Sequence, residues 1–124
     1  MNINEINAGI LAYLGDSVFE VNIRNYLINK WNKKANELQK EAIKYVSAEN
    51  QSKILDRLKD LDIFTKEELY TINRARNYKT NSKPKYVDIK TYKKATALEA
   101  LFGMLYLEKK IDRINYIINM IVGE

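Results

Sequence analysis

The chain has 124 residues, 46 % of them hydrophobic, so we expect residues 1–124 to fold as one domain. It contains no cysteine and no histidine, which excludes disulfides, thiolate zinc sites and catalysis by a histidine base or a cysteine nucleophile. The net charge of +5 suits a polyanionic partner, and the absence of a bilayer-length apolar run or a signal-peptide pattern predicts a cytoplasmic protein without membrane contact.

Apolar residues recur at helical rather than strand spacing along the whole chain, which predicts an all-α fold. A first helix is predicted from about residue 4 to 28. A second helical region is predicted from about 36 to 61, with a break near Ser47. Thr65 and Glu68 have the spacing of a capping box, so a short helix is expected to begin there.

The second half of the chain contains a polar, basic segment between two helical patterns. This segment, RARNYKTNSKPKYVDIK at residues 74 to 90, includes the only proline and is predicted to be a long loop. Helices are predicted from about 91 to 108 and from about 111 to 122. The expected architecture is therefore an all-α bundle of five to seven helices with one basic loop.

Each of the two most apolar helices contains a glycine and an acid. LAYLGDSVFEV contains Gly15 and Asp16, and TALEALFG contains Glu99 and Gly103. Glycine in a helix interior costs about 1 kcal/mol relative to alanine, and a carboxylate among apolar neighbours needs a positive partner. Two such acids on facing helices would be suited to share a magnesium ion, with small neighbouring residues letting the helices approach and leaving room for a phosphate.

Two further polar residues lie on the same helix faces as these acids. Thr96 precedes Glu99 by three residues and could hold a metal-bound water, while Glu20 follows Asp16 by four residues. The spacing leaves a plainer interpretation open, in which the acids and Glu20 lie at the solvent edge. In that case the small residues serve only helix packing.

The motifs of the chain, taken together, resemble the ribonuclease III family. LAYLGDSVFEV resembles the signature helix of that family, and TALEALFGMLYLEKK resembles its second acidic helix. The compact branch called Mini-ribonuclease III is more similar still, through VSAENQ at 46–51, RARN at 74–77 and SKPK at 82–85. The motifs occur in the same order and cover almost the whole chain. The resemblance implies the all-α ribonuclease III endonuclease fold.

The resemblance also implies an activity and its residues. Asp16 and Glu99 match the catalytic acids of the family, which bind Mg²⁺, with Mn²⁺ able to substitute. The implied reaction is hydrolysis of double-stranded RNA to 5′-phosphate and 3′-hydroxyl ends, in maturation of the large-subunit (23S) ribosomal RNA precursor. Family members act as homodimers formed by their signature helices. Thr96 and Ala12 stand where larger members have acids, so the number of metal ions is left open.

Longer members of the family carry a double-stranded RNA-binding domain, and no such pattern follows in this sequence. The basic loop is the candidate for that task, because lysine and arginine suit the phosphates and 2′-hydroxyls of A-form RNA. The alternative is a loop that is merely solvated. The residues predicted to bind RNA are Arg74, Arg76, Asn77, Lys79, Lys83 and Lys85.

Two other functions compete with the nuclease. One is a catalytically silent relative that binds double-stranded RNA as a scaffold, although such a scaffold would not need both Asp16 and Glu99 within apolar helices. The other is a small basic DNA-binding regulator, which rests on charge and helix content alone. The sequence contains no convincing helix-turn-helix motif in its support.

Overall fold

Residues 2–79 and 83–123 are described by the computed structural model, and within these ranges the protein is helical without strands, which confirms the all-α prediction. A 3-10 helix precedes six α-helices in the described chain. Their bounds are Ile3–Glu5 for the 3-10 helix, then α1 Ala8–Lys30, α2 Ala35–Val46, α3 Ala48–Asp60, α4 Lys66–Arg76, α5 Ile89–Leu107 and α6 Ile111–Val122.

The predicted break and the predicted capping box are both confirmed. Ser47 ends α2 and begins α3, and its hydroxyl accepts a hydrogen bond from the backbone N–H of Asn50. Thr65 Oγ1 accepts from the Glu68 N–H at 3.1 Å, and Glu68 Oε1 accepts from the Thr65 N–H at 2.9 Å. Glu68 also accepts from Arg113 at 2.8 Å, so the cap of α4 is fastened to α6.

Two of the predicted elements, the basic loop and the first helix, have wrong bounds. The basic loop is shorter than 74–90, because α4 continues to Arg76 and α5 already begins at Ile89. The buried residues Ile72 and Ala75 extend the inner face of α4 into the basic segment. The charged residues beside Ala75 obscured this helical spacing of apolar residues in the sequence. The first helix begins at Ala8 rather than near residue 4, because the Asn7 side chain caps it there.

The core is built around α5, which packs against α1, α3 and α4. Phe19 of α1 and Phe102 of α5 are both fully buried and meet edge to face, with ring centroids 5.3 Å apart. Such a pair contributes about 0.5–1.5 kcal/mol beyond its buried area. The packing of α1 on α5 therefore fixes the relative position of the two helices that carry the acids.

The two helical glycines allow this close approach. A Cβ atom at Gly103 would overlap the carbonyl oxygen of Leu11, and one at Gly15 would lie 2.8 Å from the backbone nitrogen of Gly103. The prediction that small residues let the helices approach is thus confirmed. The prediction that these small residues also leave room for a phosphate is wrong at Gly15, because the backbone of α5 fills that space.

One face of α1 is apolar but lies outside this core. Tyr13 and Val21 are 83 % and 61 % exposed. Ile10 and Ile28 are exposed as well. α5 covers only the opposite side of α1, which leaves these four side chains at helical spacing on the surface. No helix in the described ranges has both the length and the apolar character needed to cross a membrane.

Candidate active site

A cavity of about 260 Å³ lies between α1 and α5, beside the end of α4. Asp16 and Glu99 both line it, together with Thr96 and Lys93. The crossing of α1 and α5 brings residues far apart in sequence to one wall. The structure thus places the two predicted acids together, in a pocket open to solvent.

The Glu99 carboxyl group is perturbed by its surroundings. Burial is the largest cause that raises its pKa from 4.5 to about 9, and the adjacent Asp16 carboxyl group, within hydrogen-bonding reach, is the next. The Gln51 amide opposes this and lowers the pKa, whereas the charge of Glu20 adds to the rise. Two carboxyl groups within hydrogen-bonding reach of each other repel when both are ionised, so a cation between them would stabilise the ionised pair.

Thr96 and Glu20 lie near the pair without joining it. The Thr96 hydroxyl lines the cavity and donates to the backbone carbonyl of Tyr92 at 2.9 Å, so its oxygen remains available as an acceptor. Glu20 is half-exposed and pairs with Arg24 at 3.9 Å. Within residues 2–79 and 83–123, no group of three or more acidic, histidine or cysteine side chains is arranged to hold a metal ion.

Gln51 is a residue to which the sequence assigned no role. It is 2 % exposed, and its side chain is close enough to Glu99 to shift the pKa of that carboxyl group. The signal was present in the VSAENQ motif, which indicated the family without indicating a function for its glutamine. Helical periodicity could not have identified Gln51 as functional, because a glutamine on an apolar helix face can equally be a structural residue.

Arg74 differs from the other residues predicted to bind RNA. Its Nη1 donates to the carbonyl of Ile6 at 2.6 Å, while Nε and Nη2 are buried without a hydrogen-bond partner in the described ranges. The guanidinium group therefore points into the protein and ties α4 to the segment before α1. The remaining predicted residues are exposed: Arg76, Asn77, Lys79, Lys83 and Lys85. Lys83 Nζ also donates a hydrogen bond to the carbonyl of Val87.

The basic segment leaves and rejoins the fold at the rim of the cavity. Ala75 and Tyr78 lie near its start, Tyr92 and Lys93 follow its end, and all four line the pocket. The sequence assigned Tyr78 no role because tyrosine is common in this chain. The structure places its ring against Gly9, at the start of α1. Residues 80–82, the last of which begins the SKPK motif, lie outside the described residues.

An all-helical fold with two acids facing one open cavity across crossing helices is the arrangement that the resemblance to the ribonuclease III family predicted. The family model described as Ribonuclease III domain matches residues 10–110. The chain therefore belongs to the ribonuclease III family, and within it to the Mini-ribonuclease 3 branch that its motifs predicted. Its activity is that of an endoribonuclease.

Named relatives and a solved structure support this assignment over nearly the full length. The chain is 40 % identical to the Mini-ribonuclease 3 of Staphylococcus aureus over 121 residues, covering 98 % of this chain and 90 % of the relative. It is 43 % identical to that of Brevibacillus brevis over 115 residues, covering 93 % and 84 %. A crystal structure of a protein from Fusobacterium nucleatum superposes with a TM-score of 0.84 at 34 % identity, covering 98 % and 96 %.

Proposed function

We propose that this endoribonuclease cleaves double-stranded RNA in a Mg²⁺-dependent reaction that leaves 5′-phosphate and 3′-hydroxyl ends. Its proposed substrate is the precursor of the large-subunit (23S) ribosomal RNA, and its proposed compartment is the cytoplasm. The observation that carries the proposal is the pairing of Asp16 and Glu99 in the wall of one open cavity.

The donor set fits a hard divalent cation. Both side chains offer only carboxylate oxygens, which Mg²⁺ prefers, and Mn²⁺ accepts the same ligands. In the part of the chain that the structure describes, neither acid forms an ion pair with lysine or arginine. The raised pKa of Glu99 indicates that the pair lacks a compensating positive charge. When bound, the cation lowers the pKa of a water, which supplies a nucleophile without histidine.

The residues around the acids bind and orient the RNA in this proposal. Lys93 lies in the cavity wall, where it attracts the phosphate to be cut. The exposed side chains of the basic segment contact neighbouring phosphates, because that segment begins and ends at the cavity. These residues are Arg76, Asn77, Lys79, Lys83 and Lys85. Arg74 acts instead as an internal tether.

A second copy of the chain completes the proposed enzyme. One site cuts one strand, so cleavage of both strands requires two sites related by a two-fold axis. The exposed apolar face of α1 supports such a homodimer, since four large apolar side chains there have no cover within the described chain. Tyr13 belongs both to this face and to the cavity, which brings the interface next to the site.

The test is cleavage of an end-labelled RNA duplex in Mg²⁺ or EDTA by the wild type, Asp16→Asn and the control Asp112→Asn, whose carboxylate is exposed on α6. We expect Mg²⁺-dependent cuts on both strands by the wild type and the control. Asp16→Asn should fold and bind the duplex but not cut it. Binding without cleavage by the wild type would favour the silent scaffold, and equal binding of a DNA duplex would favour the DNA-binding regulator.

A further inference from the structure

Gln51 is a buried polar residue whose side-chain amide lacks a partner. It lies in the first turn of α3 and is 2 % exposed. Its backbone N–H donates to the Ser47 carbonyl at 2.8 Å as part of the helix. Its Nε2 is fully buried, with no hydrogen bond to any residue of the described ranges. Buried polar groups nearly always have a partner, so this amide requires an explanation.

The Glu99 carboxyl group is the neighbouring acceptor that suits this amide. α3 packs against α5, and the Gln51 side chain is near enough to lower the pKa of that carboxyl group. An amide nitrogen offers two N–H donors, whereas an ionised carboxylate offers only acceptors. The two groups are therefore complementary once Glu99 carries its charge. Asp16, which raises this pKa, is itself an acid and offers no N–H donor.

We propose that Gln51 is a positioning residue, which donates from Nε2 to the Glu99 carboxylate and holds it in the orientation that binds the divalent cation. The proposal rests on the cation site of the proposed function. Side chains behind a metal ligand fix its orientation and raise its affinity for the ion. Gln51 is well suited to this, because its backbone is fixed in α3 and the surrounding core restricts its side chain.

The competing explanation is that Gln51 only fills space in the core. Methionine separates the two explanations, because it has the same unbranched length as glutamine but no N–H donor. A space-filling glutamine could be replaced by methionine without consequence for cation binding. A positioning glutamine could not, although the core would remain filled and the unpaired donor would be removed.

The experiment measures Mn²⁺ binding to the RNA-free protein by electron paramagnetic resonance, for the wild type, Gln51→Met, Ser52→Ala and Asp16→Asn. Ser52 is the neighbouring buried polar residue on α3 and serves as the control. We expect Gln51→Met to bind Mn²⁺ about 10-fold more weakly, with an unchanged or higher melting temperature. In duplex cleavage, the Mg²⁺ concentration for half-maximal rate should rise by a similar factor. Saturating Mg²⁺ should restore most of kcat, with the KM for RNA unchanged.

Mn²⁺ affinity of Gln51→Met within about twofold of the wild type would overturn the inference and leave the proposed function intact. Absence of Mn²⁺ binding by the wild type, or unchanged Mn²⁺ binding by Asp16→Asn, would overturn the inference and the proposed function together. In either case the cation site itself would be misplaced. If Gln51→Met does not fold, Gln51→Leu is measured in the same way and decides by the same criteria.

Discussion

Gly15 lies directly against the main chain of Glu99, because a Cβ atom at Gly15 would overlap the Glu99 carbonyl oxygen. The residue that precedes Asp16 is thus in direct contact with the backbone of Glu99. The distance between the two carboxyl groups is therefore set by a backbone contact and not by side-chain packing alone. The glycine costs helix stability, and the site gains a fixed separation of its two acids.

This contact predicts that Gly15→Ala is destabilising despite the higher helix propensity of alanine. The added Cβ meets backbone, which cannot rotate away, so α1 and α5 must separate. We expect a loss of about 1–3 kcal/mol, measured by urea unfolding, and weaker Mn²⁺ binding. Gly9→Ala is the matched control, because its Cβ would meet movable side chains of Asn7 and Tyr78 at 3.0 Å. Equal stability of the two variants would contradict the contact.

The raised pKa of Glu99 predicts a pH-dependent stability of the metal-free protein. Below its ordinary pKa of 4.5, both the folded and the unfolded chain keep the proton, so the group has no net effect. Between 4.5 and about 9, the unfolded chain releases the proton while the folded chain retains it, so the fold loses stability as pH rises. Glu99→Gln removes this loss.

Melting curves in EDTA measure that effect. We expect Glu99→Gln to melt about 3–8 °C above the wild type at roughly pH 8 and close to it at roughly pH 4. Glu5→Gln, at an exposed carboxylate of the 3-10 helix, is the control and should show no such trend. A difference for Glu99→Gln that does not change with pH would mean that its carboxyl group is not perturbed in the metal-free fold.

The basic segment predicts a salt-dependent contribution to RNA binding. Joint replacement of Lys79, Lys83 and Lys85 by glutamine should weaken duplex binding without changing the melting temperature, because all three are exposed. Each lost phosphate contact should reduce the slope of log K against log salt by about 0.9. The measurement is fluorescence anisotropy of a labelled duplex in Ca²⁺ at several salt concentrations.

A charge-matched triple variant is the control for that measurement. It replaces three other exposed lysines by glutamine: Lys40, Lys53 and Lys66. Lys66 lies at the opposite end of α4 from the cavity, about 15 Å along the helix. An equal loss of affinity in the two triple variants would show that net charge, and not the basic segment, governs binding.

The exposed face of α1 predicts how the protein assembles. Val21→Glu places a charge on that face and should convert the proposed dimer to a monomer, as measured by light scattering after size exclusion. Double-strand cuts should then fall more than single-strand nicks, because paired sites are lost. Ile111→Glu, at an exposed apolar position on α6, should leave the mass unchanged. A wild type that is monomeric at working concentrations would remove the basis of this prediction.

Local signals in the sequence were sufficient for much of the fold. The Ser47 break and the Thr65–Glu68 capping box depend on hydrogen bonds between residues three apart, so the sequence contained all the information needed. The start of the basic segment was predicted too early, because charged residues in the sequence masked the buried helix face that continues to Ala75. Tyr13 and Val21 lie on the surface of α1, which the sequence could not predict because hydrophobicity does not say which face of a helix another helix covers.

By itself, the sequence determined the helical class and the family, because motifs and periodicity are properties of neighbouring residues. The pairing of Asp16 with Glu99 was a prediction, made from the family resemblance. The tertiary structure alone decided what surrounds that pair. It showed that Gly15 is a backbone contact, that Arg74 points inward and that Gln51 lies behind Glu99. These relationships join residues tens of positions apart. They arise only when α1, α3, α4 and α5 pack together, and no local pattern encodes them.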